Sequence, residues 1–309
     1  MKFHPYLVMV IGGALSALLY FNALVLSGAS FLGHLAPLPI LLAGFGYGLL
    51  QAAGAAGLAT ALVMVFLGLE PGFHYLVSMT LPSLVLVRQG LLHHVHGKKT
   101  FWYPEGRLAA DVVGVMALCV FVASLWVSSI HATQKLQQEW QNAGGMVASQ
   151  MGNPEVAVLM QNILHFMASH YFGVAGFLGG VMLLLNFGLA HGLLRRARMM
   201  QRRSMKLAYL DLPWWPWVAG ALLGVGAVAF SGVLKVACLN ALMTLGFLFL
   251  LQGLSIIHHF REKRRFSNLF LWFFYGLMLV FSWPVIVITL IGVFEPWLRL
   301  HQRIERSQE

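Results

Sequence analysis

Long apolar runs separated by short polar connectors pattern this chain from end to end. Nine can be marked: residues 5–27, 37–50, 52–69, 73–92, 109–130, 173–194, 217–232, 234–260 and 268–294. The last two organise the rest. Each exceeds the roughly 20 apolar residues that carry a helix across about 30 Å of hydrocarbon. The hinge between them, Arg261, Glu262, Lys263, Arg264 and Arg265, is too charged for lipid and marks the cytoplasmic side. Runs 37–50 and 52–69 are short, and Gly44, Gly46, Gly48, Gly54 and Gly57 suggest tightly packed, broken helices. Non-helical backbone at membrane depth persists only where it is buried in protein or faces a cavity. Glu70-Pro71-Gly72 reads as a turn, and Pro82 interrupts the fourth run. Gly12, Gly13, Ala14 and Ala17 give the first run a small-residue face for close contact with a neighbouring helix.

The pattern predicts an all-α, polytopic transmembrane helical bundle of eight or nine spans, a single integral membrane domain over residues 1–309. Residues 131–172 form a polar outer element within it: a Gln-rich connector, then a helical pattern over 156–172 punctuated by Gln161, Asn162, His165 and His170.

Charge sets the expected orientation. With the amino terminus in the cytoplasm and nine spans, the inner side collects Lys2, Arg88, Lys98, Lys99, Arg107, the six basic residues from Arg195 to Lys206, and the four in the hinge. The outer side keeps Lys135, Lys235, Arg299, Arg303 and Arg306, so the carboxy-terminal tail is the misfit. Composition agrees with a membrane protein: 59% of residues are hydrophobic, 10% are charged, and mean hydropathy is +0.76. Soluble domains carry about 25% charged residues. The net charge of +10 is spread over short clusters between apolar runs, where topology and anionic headgroups account for it. Nucleic acid is not an expected partner. The expected setting is the inner membrane of a bacterial cell, crossed many times.

The chemistry is sparse. His93, His94 and His96 do not share one helix face and have Glu105 as their nearest acid, so they read as a polar cap at the end of a span rather than a metal site. Cys119 and Cys238 read as small core residues. His258 and His259 precede the hinge, where one can satisfy a helix-end carbonyl. No catalytic triad, buried carboxylate pair or phosphate-binding Gly-x-x-x-x-Gly-Lys-Ser/Thr loop is present, so neither an enzyme nor a bound cofactor is expected. No charged residue falls in the middle third of a run, which disfavours an ion-coupled carrier. What polar material exists leans outward. Asn22, His34, Glu70, His74, Tyr75, Lys235 and Asn240 are the candidate rim of an outward-facing pocket for a small polar solute, with Glu70 and Lys235 able to pair.

The run Gln252-Gly253-Leu254-Ser255-Ile256-Ile257-His258-His259-Phe260, the basic hinge, and Gly292-Val293-Phe294-Glu295-Pro296-Trp297-Leu298-Arg299 resemble the carboxy-terminal signature of the YybS-like membrane proteins. Gln252, Gly253, His258, Phe260 and Trp297 mark it, while Glu295 stands where members often carry Asp. That family implies a multi-pass membrane protein without an assigned activity. The amino-terminal third, through Pro37-Leu38-Pro39 and Gly44-Phe45-Gly46-Tyr47-Gly48, resembles the S components of energy-coupling-factor transporters. This second resemblance implies an S-component-like core and uptake of a small solute. The expected function is therefore a transporter-type solute-binding membrane subunit. Lacking its own ATPase, it would borrow one docked on the basic loops or the Gly13/Ala17 face. The alternative is a non-transporting scaffold or regulator of envelope processes.

Overall fold

The computed structural model describes residues 4–25, 30–129, 142, 154–203, 205–264, 267–281 and 283–300. Among them the fold is helical: α1 (Pro5–Val25), α2 (Ser30–Gly33), α3 (Pro37–Tyr47), α4 (Leu49–Leu67), α5 (Leu69–Tyr75), α6 (Leu81–Leu91), α7 (Glu105–Ser129), α8 (Pro154–Ser169), α9 (Tyr171–Arg196), α10 (Trp215–Ala229), α11 (Gly232–Arg264), α12 (Asn268–Val280) and α13 (Trp283–Leu298). A π turn, Leu76–Thr80, joins α5 to α6, and a 3₁₀ turn, Leu207–Tyr209, precedes α10. The one sheet among the described residues is a hairpin of β1 (His93–His96) and β2 (Lys99–Trp102).

Five helices, α1, α4, α7, α9 and α11, are long and apolar enough to cross a membrane. Together α12 and α13, bent by 113° at their junction, make a sixth if they count as one span. Eight or nine spans required runs 37–50, 73–92 and 217–232 to cross as well. In the structure they hold helices of 11, 7 and 11, and 15 residues, shorter than a straight crossing needs. Gly48 ends α3 inside the first of these runs, whereas α5 and α6 continue into one another through the π turn. Gly68 takes φ 100° and starts α5, so Glu70-Pro71-Gly72 is the first turn of a helix rather than a turn between helices. Proline is tolerated there because first-turn N–H groups have no helical partner. The predicted helix over 156–172 is present as α8 and the start of α9. Residues 131–141 and 143–153 of the expected outer element lie outside the described residues.

Helix α11 is the axis of the carboxy-terminal half, with α7, α9, α10 and α13 packed on it. Over its apolar stretch 56% is buried, against 28–39% in the other four long helices, which places it at the centre of the bundle. Its buried face, Leu245 to Leu251 with Leu254, meets Ala110, Val113, Leu210 and Ile288. A second core, around Ile40, Leu41, Phe45, Ala52 and Val87, holds α3, α4 and α6 together and extends onto α7 and α9 through Leu108, Val112, Leu183 and Leu194. Gly12, Gly13 and Ala17 are buried, and a Cβ on Gly13 would press on the Ala55 carbonyl of α4. The small-residue face is therefore spent inside the chain and is not open to a partner.

Candidate functional site

The two ends of the bundle differ in chemistry. At one end the hairpin, the arginine-rich segment after α9 and the end of α11 converge. Buried Arg202 joins the arginine segment to the hairpin and the end of α6: it donates to the Gly90 carbonyl (2.8 Å) and the Tyr103 carbonyl (2.7 Å) and lies over the Trp102 ring at 5.8 Å. Burial pulls the Arg202 guanidinium below its usual range, partly offset by the Glu105 carboxylate. Glu105 in turn accepts from the Lys206 backbone N–H at 3.0 Å. Tyr103 Oη and Gln89 Nε2 both donate to Asp111 Oδ2, at 2.8 and 2.9 Å. The histidines expected to cap a helix instead alternate along β1, where His93 meets Trp102 and His94 stacks on Phe101. All three are exposed, and among the described residues no group of three or more His, Cys, Asp or Glu could hold a metal ion.

The opposite end is reached by α4. Gly46 of α3 faces Leu194 and Met199 beside the arginine segment, so α4 carries the chain away from the basic end to Gly68. There α5 packs on α1. Tyr75, fully buried, bonds Ser16 Oγ at 2.6 Å, and Ser16 also donates to the Ala36 carbonyl. Tyr20 Oη and His74 Nδ1 lie 3.0 Å apart, and the Tyr20 and Tyr75 rings meet edge-on at 5.0 Å. One turn further, Thr60 and Thr80 join hydroxyls at 2.9 Å. The result is a seam of hydroxyls and one imidazole, bounded by the π turn. π turns insert one extra residue, re-aim the helix face, and are frequent at functional sites. Tyr75 is sealed within the seam, whereas His74 is exposed at its edge.

Of the seven expected rim residues, His74 and Tyr75 enter this seam. Asn22 is half-buried on the same helix as Tyr20 and donates to its own Leu18 carbonyl at 2.8 Å. His34 presents an exposed ring, while its carbonyl accepts from buried Asn186 of α9 at 2.7 Å, which ties the segment before α3 to α9. Glu70 is exposed at the start of α5. Lys235 and Asn240 belong elsewhere. Lys235 is exposed near the start of α11, and no ion pair joins it to Glu70 among the described residues. Asn240 is 1% exposed, donates to Ser124 Oγ at 2.9 Å, and lies under Gly173, so it is an interhelical bond rather than a rim residue. Ser16 and Tyr20 were missed, although their spacing of one helical turn in an otherwise apolar run is a readable signal.

The signature residues also serve packing. Gln252 is buried, Gly253 abuts α13, His258 Nε2 meets Tyr275 Oη at 2.8 Å across the hinge, Phe260 is half-buried, and Trp297 is exposed. Glu295 is buried, and its Oε2 accepts from the Leu300 N–H at 3.1 Å.

A family model described as "Predicted membrane protein (DUF2232)" matches residues 14–295. No curated protein and no solved structure matches the chain.

Proposed function

The chain belongs to this family of predicted membrane proteins, and on that premise we propose that it is a transporter-type membrane subunit binding a small polar solute at the end of the bundle away from the arginines. The observation that carries the reading is the Tyr20–His74 pair, 3.0 Å apart, at the open edge of an otherwise buried polar seam. Buried hydroxyls in an apolar bundle are costly unless bonded, and here they are bonded to one another. The exposed His74 can exchange its partner for a solute group. The seam also follows Gly68 and borders the π turn, the kind of interrupted backbone from which membrane carriers build solute sites.

In this reading the basic end faces the cytoplasm with the amino terminus, as the positive-inside rule requires. Helix α3, the path from α5 to α6, and α10 cross as short elements, giving eight or nine crossings. The first third would then be an S-component-like, solute-binding core, and an ATPase from another chain would supply energy at the exposed basic loops.

Melting of the purified protein against a panel of polar metabolites tests this. A ligand that binds the native state raises the transition by mass action. One metabolite should do so for the natural protein and fail for His74→Ala. A panel without effect, joined to stable co-purification of another envelope protein, would replace the proposal with the scaffold reading.

A further inference from the structure

Beside Arg202 lies a cavity of about 340 Å³ lined by His191, Arg195, Arg198, Met200, Arg202 and Arg203. It is open on one side, four guanidinium groups and an imidazole line it, and no carboxylate is among the lining residues. We propose that this cavity holds the phosphate of an anionic membrane phospholipid, with an acyl chain lying along α9. The site is separate from the solute seam and does not depend on that reading.

Three features carry it. The first is Arg202, 4% exposed. A guanidinium has five N–H donors; two are engaged by the Gly90 and Tyr103 carbonyls, so a fixed, desolvated cation still has donors to offer. The second is Arg198, which takes φ 55° just after α9. Met199 N–H bonds the Leu194 carbonyl (2.8 Å) and Arg198 N–H the Arg195 carbonyl (3.1 Å), a Schellman end in which the left-handed residue is ordinarily glycine. Placing arginine there carries a backbone cost of about 1 kcal/mol, and what the side chain gains is a position on the cavity wall.

The third feature separates a lipid from free phosphate. Leu184, Gly188, His191 and Arg195 recur at helical spacing, so one stripe of α9 leads into the cavity. On that stripe Leu184 is exposed, and a Cβ on Gly188 would meet nothing within 4 Å. An open apolar stripe ending at a cationic pocket matches a phosphate carrying an acyl chain.

The experiment uses the full chain in detergent, titrated with phosphatidylglycerol, phosphatidylcholine or inorganic phosphate and followed by melting temperature and by native mass spectrometry of lipid adducts. Phosphatidylglycerol should bind and stabilise, while phosphatidylcholine and phosphate should not. Arg198→Gly should weaken phosphatidylglycerol about five- to tenfold without lowering the lipid-free melting temperature, because it relieves the left-handed backbone. Arg196→Gln removes the same charge outside the cavity and should leave affinity within about twofold. An equal loss at Arg196 would show diffuse attraction and overturn the site. So would undiminished binding by Arg198→Gly, or an equal response to phosphate alone.

Discussion

Gly253 of α11 and Gly292 of α13 face each other where the two helices cross, each too close to the opposing backbone to admit a Cβ. A methyl on Gly253 would strike the Ile288 carbonyl, and one on Gly292 the Phe249 carbonyl. Trp217 Nε1 donates to the neighbouring Val293 carbonyl at 2.7 Å and closes the contact from α10. Between helices in a bilayer, close approach replaces the hydrophobic drive that water would supply.

Gly253→Ala should therefore destabilise the protein by about 1–3 kcal/mol, since carbonyl atoms cannot step aside as a flexible side chain can. Gly276→Ala is the control: a Cβ there meets nothing within 4 Å. Its helix should be unchanged or stabilised by roughly 0.5–1 kcal/mol. Thermal melting in one detergent compares the two.

Arg202→Met preserves length but removes both donors from the Gly90 and Tyr103 carbonyls. Charge-assisted bonds of this kind carry about 1.5–3 kcal/mol, so the loss should be about 2–3 kcal/mol, with earlier protease cleavage between the hairpin and α7. Exposed Arg203→Met should stay within about 0.5 kcal/mol of the natural protein. Equal effects at the two positions would contradict the clamp.

Burial, with the hydrogen bond to Asp111 second, raises the Tyr103 phenol above its ordinary range. The neutral phenol is the form the fold favours. Its contribution is thus fully present below about pH 10 and is lost as pH rises through the raised value. Tyr103→Phe should remove one late component from the ultraviolet titration of the tyrosines and lower stability at neutral pH by about 1 kcal/mol. Asp111→Asn should move that component to lower pH.

How much of this was legible in the chain follows from what each signal measures. Apolar runs mark material that shuns water, so the helical membrane architecture and the central place of residues 234–260 could be read directly. They do not mark where a helix stops. Gly48 (φ 120°) and Gly68 (φ 100°) end helices inside apolar stretches, so the apolar runs overshoot the helices they hold. The hairpin was hidden for a similar reason, since four alternating residues around Gly97 carry little pattern. In the polar seam, polarity pointed to His74 and Tyr75 but not to their hydrogen-bond partners, because Ser16 and Tyr20 look ordinary in an apolar helix until α5 meets them. Asn240 shows the converse error: a polar residue at the right depth that is already bonded to Ser124. Replacing it by Leu should cost about 0.6 kcal/mol and spare solute binding.

The solute seam is tested most directly by native mass spectrometry of the protein released from its own membrane, comparing the natural chain with Tyr20→Phe and Asn240→Leu. The natural chain and Asn240→Leu should each carry one small polar molecule, and Tyr20→Phe, folded but without the hydroxyl beside His74, should carry none. The same molecule retained by Tyr20→Phe, or none carried by the natural chain, would contradict a solute site between α1 and α5.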